Sequence, residues 1–238
     1  MKRLFILLAV VICASVAGWI FFERSSDESA PTPPPAVPPP VDIAALNAKA
    51  TNGDSVAQGA LGKAYATGNG VKINYKEAAK WFALAATNGN ADATADLGEL
   101  YQAGQGVPRN LSNAAQLFSR AADAGSVSGQ YDLAYLYEQG QCVPKDEKLA
   151  AKWYLLASEA GDSTAAYDYG QRCFLGVGVA KDPVEGVKWL LIAQTRGQSA
   201  VEGKIATFES ALSHAQIEEA KQRAAAFVPR KPAPRPAH

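Results

Sequence analysis

Residues 60–89 read ALGKAYATGNGVKINYKEAAKWFALAATNG, and residues 96–125 read DLGELYQAGQGVPRNLSNAAQLFSRAADAG. The second stretch repeats the first at a shift of 36 residues. Gly53, Gly89, Gly125, Gly161 and Gly197 extend that interval along the chain with no insertion, marking four repeats at 53–88, 89–124, 125–160 and 161–196. A fixed period of this length is the signature of stacked supersecondary units, none of which can bury its apolar face alone.

Within the period, position after position holds one residue type. Leu61, Leu97, Leu133 and Tyr169 are followed by the small residues Gly62, Gly98, Ala134 and Gly170. Tyr65, Tyr101 and Tyr137 come next, with Cys173 breaking that column, and then Gly68, Gly104, Gly140 and Gly176. Val71, Val107, Val143 and Val179 precede a large apolar column, Trp81, Leu117, Trp153 and Trp189, and Ala85, Ala121, Ala157 and Ala193 close the set. Apolar spacings of three and four predict two amphipathic helices per period. The Gly-x-Gly-Val step, as in Gly68-Asn69-Gly70-Val71, is expected to end the first helix, because glycine enters the left-handed region without penalty. Asn74, Asn110, Asp146 and Asp182 then stand where an N-cap belongs, with Glu77 and Glu185 placed for a capping box and Pro183 at the first helical position. The expectation is an all-α fold, an α-solenoid of about four 36-residue helix-turn-helix repeats with a capping helix at each end.

These residues resemble the Sel1-like repeat family, whose loose pattern is A-x-A-x-x-x-L-G-x-x-Y-x-x-G-x-G-V-x-x-D followed by A-x-x-W and A-A-x-x-G. The likeness covers residues 53–197. Tetratricopeptide repeats are the nearest alternative, but they have a period of about 34 residues and lack the glycine-rich turn. The resemblance implies a TPR-like solenoid that binds proteins, and relatives that act as scaffolds or negative regulators of envelope assemblies.

Outside the repeats, Lys2 and Arg3 precede 19 uncharged residues, 4–22, long enough as a helix for the hydrocarbon core of a bilayer. Trp19 suits the interface, and the basic residues keep the N-terminus cytoplasmic. We read 1–22 as a signal anchor that spans the inner membrane once, placing the repeat domain in the periplasm. The rival is a cleaved signal peptide, for which Ser15-Val16-Ala17 offers small residues, with secretion to the periplasm. Residues 23–41 carry seven prolines and read as an extended spacer. The domain is assigned to 42–229 and a disordered basic tail to 230–238.

The domain holds 20 acidic and 17 basic side chains, with no continuous basic stripe, which argues against nucleic acid as a partner. The expected partner is another protein or peptide of the cell envelope. The candidate binding surface is an inner-face column, Asp96, Asp132 and Asp168, with Ala60 in the first copy, flanked by Lys63, Glu99, Tyr135 and Gln171. Stacked helices would set the three carboxylates about 10 Å apart, a line suited to a basic or amide-rich segment. The competing expectation is that each aspartate satisfies a local group. Cys142 and Cys173 lie one repeat apart and could pair as a disulfide. The resemblance does not imply that bridge, since the cysteine pairs of exported relatives lie within a repeat.

No catalytic residue, cofactor or metal is expected. The histidines are His214 and His238, and no Ser-x-x-Lys, phosphate loop or metal-ligand spacing is present. The β-lactamase-like label that some exported relatives have carried therefore finds no support in these residues. Peptidoglycan or muropeptide binding is the second functional reading.

Overall fold

The structure, a computed structural model, describes residues 42–231. The expected anchor at 4–22, the spacer and residues 232–238 lie outside the described residues. Eleven helices make up the described part, which contains no strand. They are α1 (Ile43–Thr51), α2 (Ser55–Thr67), α3 (Tyr75–Thr87), α4 (Ala91–Ala103), α5 (Leu111–Asp123), α6 (Val127–Gln139), α7 (Glu147–Glu159), α8 (Ser163–Leu175), α9 (Pro183–Thr195), α10 (Glu202–Glu209) and α11 (His214–Ala225). Each helix from α2 to α9 has 13 residues, as a strict period requires.

The even-numbered helices are the first helices of the four repeats and the odd-numbered ones from α3 to α9 the second. Every second helix packs on its own first helix and on that of the next repeat, and α1 packs on α2 as an orphan second helix would. The first helices α2, α4 and α6 also touch in sequence. They therefore form the inner side of the stack, with the second helices outside. Ala85, Ala121, Ala157 and Ala193 are fully buried where the next first helix lies across them. In the first two repeats the small column seats an aromatic ring. A Cβ on Gly62 would come within 2.5 Å of Phe82, and one on Gly98 within 2.7 Å of Phe118.

The glycine turn forms as expected. Gly68, Gly104, Gly140 and Gly176 all adopt left-handed φ and close their helices by donating to the carbonyl four residues back. A further bond recurs: the amides of Asn74, Asn110, Asp146 and Asp182 donate to the carbonyls of Tyr65, Tyr101, Tyr137 and Cys173. That bond fixes where the second helix starts, and the same four side chains cap it. It also corrects the capping-box expectation. The Asn74 and Asp182 amides are already committed, so Glu77 and Glu185 turn outward to Lys80 and Lys188 at 2.6 and 2.7 Å. The reciprocal box occurs instead at Ser213 and Gln216, at the start of α11.

After α9 the chain makes a short 3-10 turn, then α10 and α11, both of which pack on α9. Phe208 of α10 stacks on Phe174 of α8. The segment beyond α11 folds back. Phe227 meets Trp189 edge-on at 5.2 Å, and the Arg230 amide donates to the Glu159 carbonyl at 2.8 Å. Arg230, the first residue of the expected disordered tail, is thus held, because the C-terminal end of α7 offers an open carbonyl to the returning chain. Among the described residues no helix is long and apolar enough to cross a membrane.

Candidate functional site

The inner face carries two hollows. The first, about 570 Å³, lies between α2, α4 and α6. Lys63, Asp96, Glu99 and Asp132 line it, over a floor that includes Tyr75, Phe82 and Leu100. The second, about 340 Å³, lies between α6 and α8 and is lined by Glu138, Glu147, Asp168, Gln171, Arg172, Leu175 and Val177, among others. Of the residues singled out in the sequence, four therefore converge on the first hollow and two on the second. Tyr135, 38 % exposed on α6, lines neither.

The three aspartates sit in unequal surroundings. Asp96 faces Lys63, but the ammonium is 3.5 Å from Oδ2 and its side chain is 58 % exposed, so the pair is loose. Asp168 accepts a hydrogen bond from the Tyr131 hydroxyl at 3.3 Å, which joins α6 to α8. Asp132 has no such partner, and its Oδ2, like that of Asp96, is shut off from solvent without a hydrogen bond. Burial is the main cause that raises all three carboxyls. Asp132 goes up to about 7, with repulsion from Glu99, Asp162 and Asp96 adding to the loss of solvent. Asp96 reaches about 6, held back by Lys63. Asp168 also reaches about 6, raised further by Glu138 but restrained by Tyr131 and Arg172. Glu99 is raised as well, again chiefly by desolvation. Local satisfaction thus describes Asp168, describes Asp96 in part, and fails for Asp132.

The sequence reading missed the centre of the second hollow. Arg172, only 5 % exposed, reaches Glu138 and Glu147 at 2.6 Å each and lies 5.1 Å over the Tyr154 ring. Tyr154 donates to Glu138 at 2.8 Å and meets Tyr131 edge-on at 5.5 Å. The hydrogen bond from Arg172, ahead of that from Lys145, lowers the Glu147 carboxyl. One signal was available: the periodic equivalents of Arg172 are Leu136, Leu100 and Ala64, so a charge stands in an apolar column.

Cys142 and Cys173 do not pair. Cys142 is exposed in the turn with φ +60°, where three other repeats have glycine, and Cys173 is buried beside Tyr169. Burial pushes the Cys173 thiol up to about 11, which makes it an inert core group. Among the described residues no three His, Cys, Asp or Glu side chains gather where they could hold a metal ion.

A stack of paired helices with an open acidic inner face defines a helical-repeat protein of the kind that serves as a protein–protein interaction scaffold. The Sel1 repeat model matches residues 55–90, 91–126, 127–162 and 163–196, and the chain belongs to that family. The matched units begin two residues later than the glycine-bounded ones. Each starts at the first residue of a first helix rather than at the turn before it.

Among solved structures, a Sel1 repeat protein from Oxalobacter formigenes is 29 % identical, with TM-score 0.64 over 69 % of this chain and 48 % of that one. The protective antigen c5321, present in uropathogenic Escherichia coli strains and displaying an SLR fold, is 25 % identical, with TM-score 0.54 over 80 % and 49 %. Immunity protein Pa5087 from Pseudomonas aeruginosa, at 16 % identity and TM-score 0.51 over 82 % and 76 %, shares the fold. The chain spans about half the length of the first two. No curated protein matches it.

Proposed function

We propose that this chain is an adaptor of a bacterial cell envelope and that its inner solenoid face binds a partner protein or peptide. The observation that carries the reading is the division of labour between the helix layers. The second helices spend their apolar faces on stacking. The first helices keep open hollows, and in the one between α2, α4 and α6 burial has raised carboxylates, Asp132 above all, that nothing in the described chain fully satisfies. The apolar run at 4–22, flanked by Lys2 and Arg3, supports tethering to the inner membrane with the repeats in the periplasm. Secretion after cleavage is the alternative fate of the same leader. The prolines of residues 23–41 would hold the repeats off the bilayer.

A photo-crosslinking residue at Tyr135, exposed on inner helix α6, tests the surface against one at Lys152, exposed on outer helix α7. In cells, a discrete protein adduct is expected from position 135 and not from 152. Adducts from 152 alone would overturn the assignment of the face. Sedimentation of the purified chain with sacculi, in the absence of a protein adduct, would replace it with glycan binding.

A further inference from the structure

The two hollows differ in how their charge is met. In the second, the chain supplies its own cation: Arg172 sits between Glu138 and Glu147 and over Tyr154. In the first, the positions equivalent to Arg172 are Leu100 and Leu136. Three carboxylates, Asp96, Glu99 and Asp132, are left there with Lys63 as the sole cation among the lining residues, and Lys63 stands at the solvent side.

We infer that the hollow between α2, α4 and α6 seats the lysine or arginine side chain of a basic partner segment laid along the first helices. This rests on the inner face being the binding surface. The floor suits such a side chain along its whole length. Ala66, Tyr75 and Ala103 offer apolar surface to the aliphatic stem, above the buried Phe82 and Leu100, and the carboxylates meet the head. The Oδ2 of Asp132, closed to solvent and without a hydrogen bond, marks a charge the fold leaves uncompensated, and that of Asp96 is met only by the loose pair with Lys63 at 3.5 Å. Arg172 is the internal precedent: one repeat further on, the same face already holds a buried guanidinium among carboxylates. The exposed Leu175 and the neutralised acids of the second hollow favour an apolar neighbour of that basic residue, so the basic seat is the first hollow alone.

The test uses the full chain in detergent and a fluorescent 12-residue peptide of alternating lysine and serine, read by anisotropy. A counterpart with norleucine for lysine is the comparison. The lysine peptide should bind at least tenfold more tightly than the norleucine peptide. The double variant D96N/D132N should lose at least tenfold in affinity, while E218Q/E219Q, which removes the same charge from half-exposed side chains on α11, should stay within twofold. The variant Ala103→Lys keeps every carboxylate but puts an ammonium at the rim of the hollow, and it should weaken binding comparably. It decides the matter even if the double variant misfolds.

Binding should also weaken several-fold from pH 8 to pH 5.5. The titratable and charged groups concerned are Lys63 on α2, Tyr75 on α3, Asp92, Asp96 and Glu99 on α4, Asp132 on α6 and Asp162 ahead of α8. Equal affinity for the two peptides, equal losses in the inner and α11 variants, or unchanged binding by Ala103→Lys would overturn the inference. If Tyr135 still yields its protein adduct after such a result, the inner face stands as the binding surface and only the basic seat falls.

Discussion

Replacing Asp132 by asparagine should stabilise the folded chain at pH 8 and by less than half as much at pH 5. The carboxyl rises from an ordinary 3.8 to about 7 on folding, because it loses solvent and faces Glu99, Asp162 and Asp96. A carboxyl with a raised folded value binds its proton more tightly when folded. Its favourable contribution is therefore complete only below about 3.8 and is lost progressively as pH climbs from there through about 7. A shift of roughly three units corresponds to about 4 kcal/mol at about 1.4 kcal/mol per unit, which is the ceiling for the ionised form at pH 8. Solvent reaching one edge of the carboxylate reduces this, and about 1–3 kcal/mol is the expected gain on neutralising it.

Asparagine keeps the shape and cannot ionise. For a chain of this size the gain is a rise of about 2–10 °C in Tm at pH 8. Thermal and urea unfolding followed by circular dichroism at pH 5 and pH 8 measure it. A stabilisation of the same size at both values would show that charge is not the cause. Destabilisation at pH 8 would show that Asp132 has a partner in the folded state, and would refute the account of the inner face.

Other changes probe separate parts of the fold. Cys142→Gly should raise stability by about 0.5–1 kcal/mol in urea titrations, because it relieves a left-handed residue worth about 1–2 kcal/mol and costs part of that in unfolded-chain entropy. Gly178→Ala should lower it by more than about 2 kcal/mol, since the new Cβ would lie 2.0 Å from the Glu147 carbonyl oxygen at φ +72°. Arg172→Met should cost about 1–3 kcal/mol at pH 8, with a smaller loss in acid once Glu147, whose carboxyl the Arg172 hydrogen bond holds below its ordinary value, takes up its proton; the two glutamates are about a third exposed, which keeps the figure below that for a fully buried pair. Phe227→Ala should lower Tm by several degrees and loosen the Arg230 amide in hydrogen exchange, as the edge-on contact with Trp189 is lost.

The repeat architecture was legible because periodicity is a property of the chain alone. The glycine turn, the caps Asn74, Asn110, Asp146 and Asp182, and the alanine column all follow from local rules applied four times. The caps of the first helices were equally available, since Asp54, Asn90, Ser126 and Asp162 each follow a period glycine. The Glu77 and Glu185 capping boxes failed for a reason that crosses elements: the amides they needed were taken by a carbonyl nine residues back, in the preceding helix. The chemistry of the inner face was only half legible. Asp96, Asp132 and Asp168 form a column in the sequence, but what distinguishes them comes from other repeats. Lys63 meets the first, and Tyr131 from one period back meets the last. Arg172 was invisible to a column argument because the column is apolar and its partners, Glu138 and Glu147, lie on two other helices.

In a solenoid each repeat feels mainly its neighbours, so a local cost stays local. The outer layer supplies the surplus that covers it. Phe82, Phe118, Trp153 and Trp189 are all nearly or fully buried on the second helices, and each contributes on the order of 1.5–3 kcal/mol. Against that background the distribution of inner acids is uneven in a telling way. The first repeat has Ala60 where the aspartates begin, and the fourth places Arg172 beside its own. Among the inner-face aspartates the fold meets Asp132 on α6 least and Asp96 on α4 only in part, and both stand in the middle of the stack, where neighbouring repeats on either side hold the helices in place. A cation arriving there gains from every carboxylate at once without having to order the fold. The stability forgone at Asp132 is then the affinity available to a partner, and a substitution that returns one should remove the other.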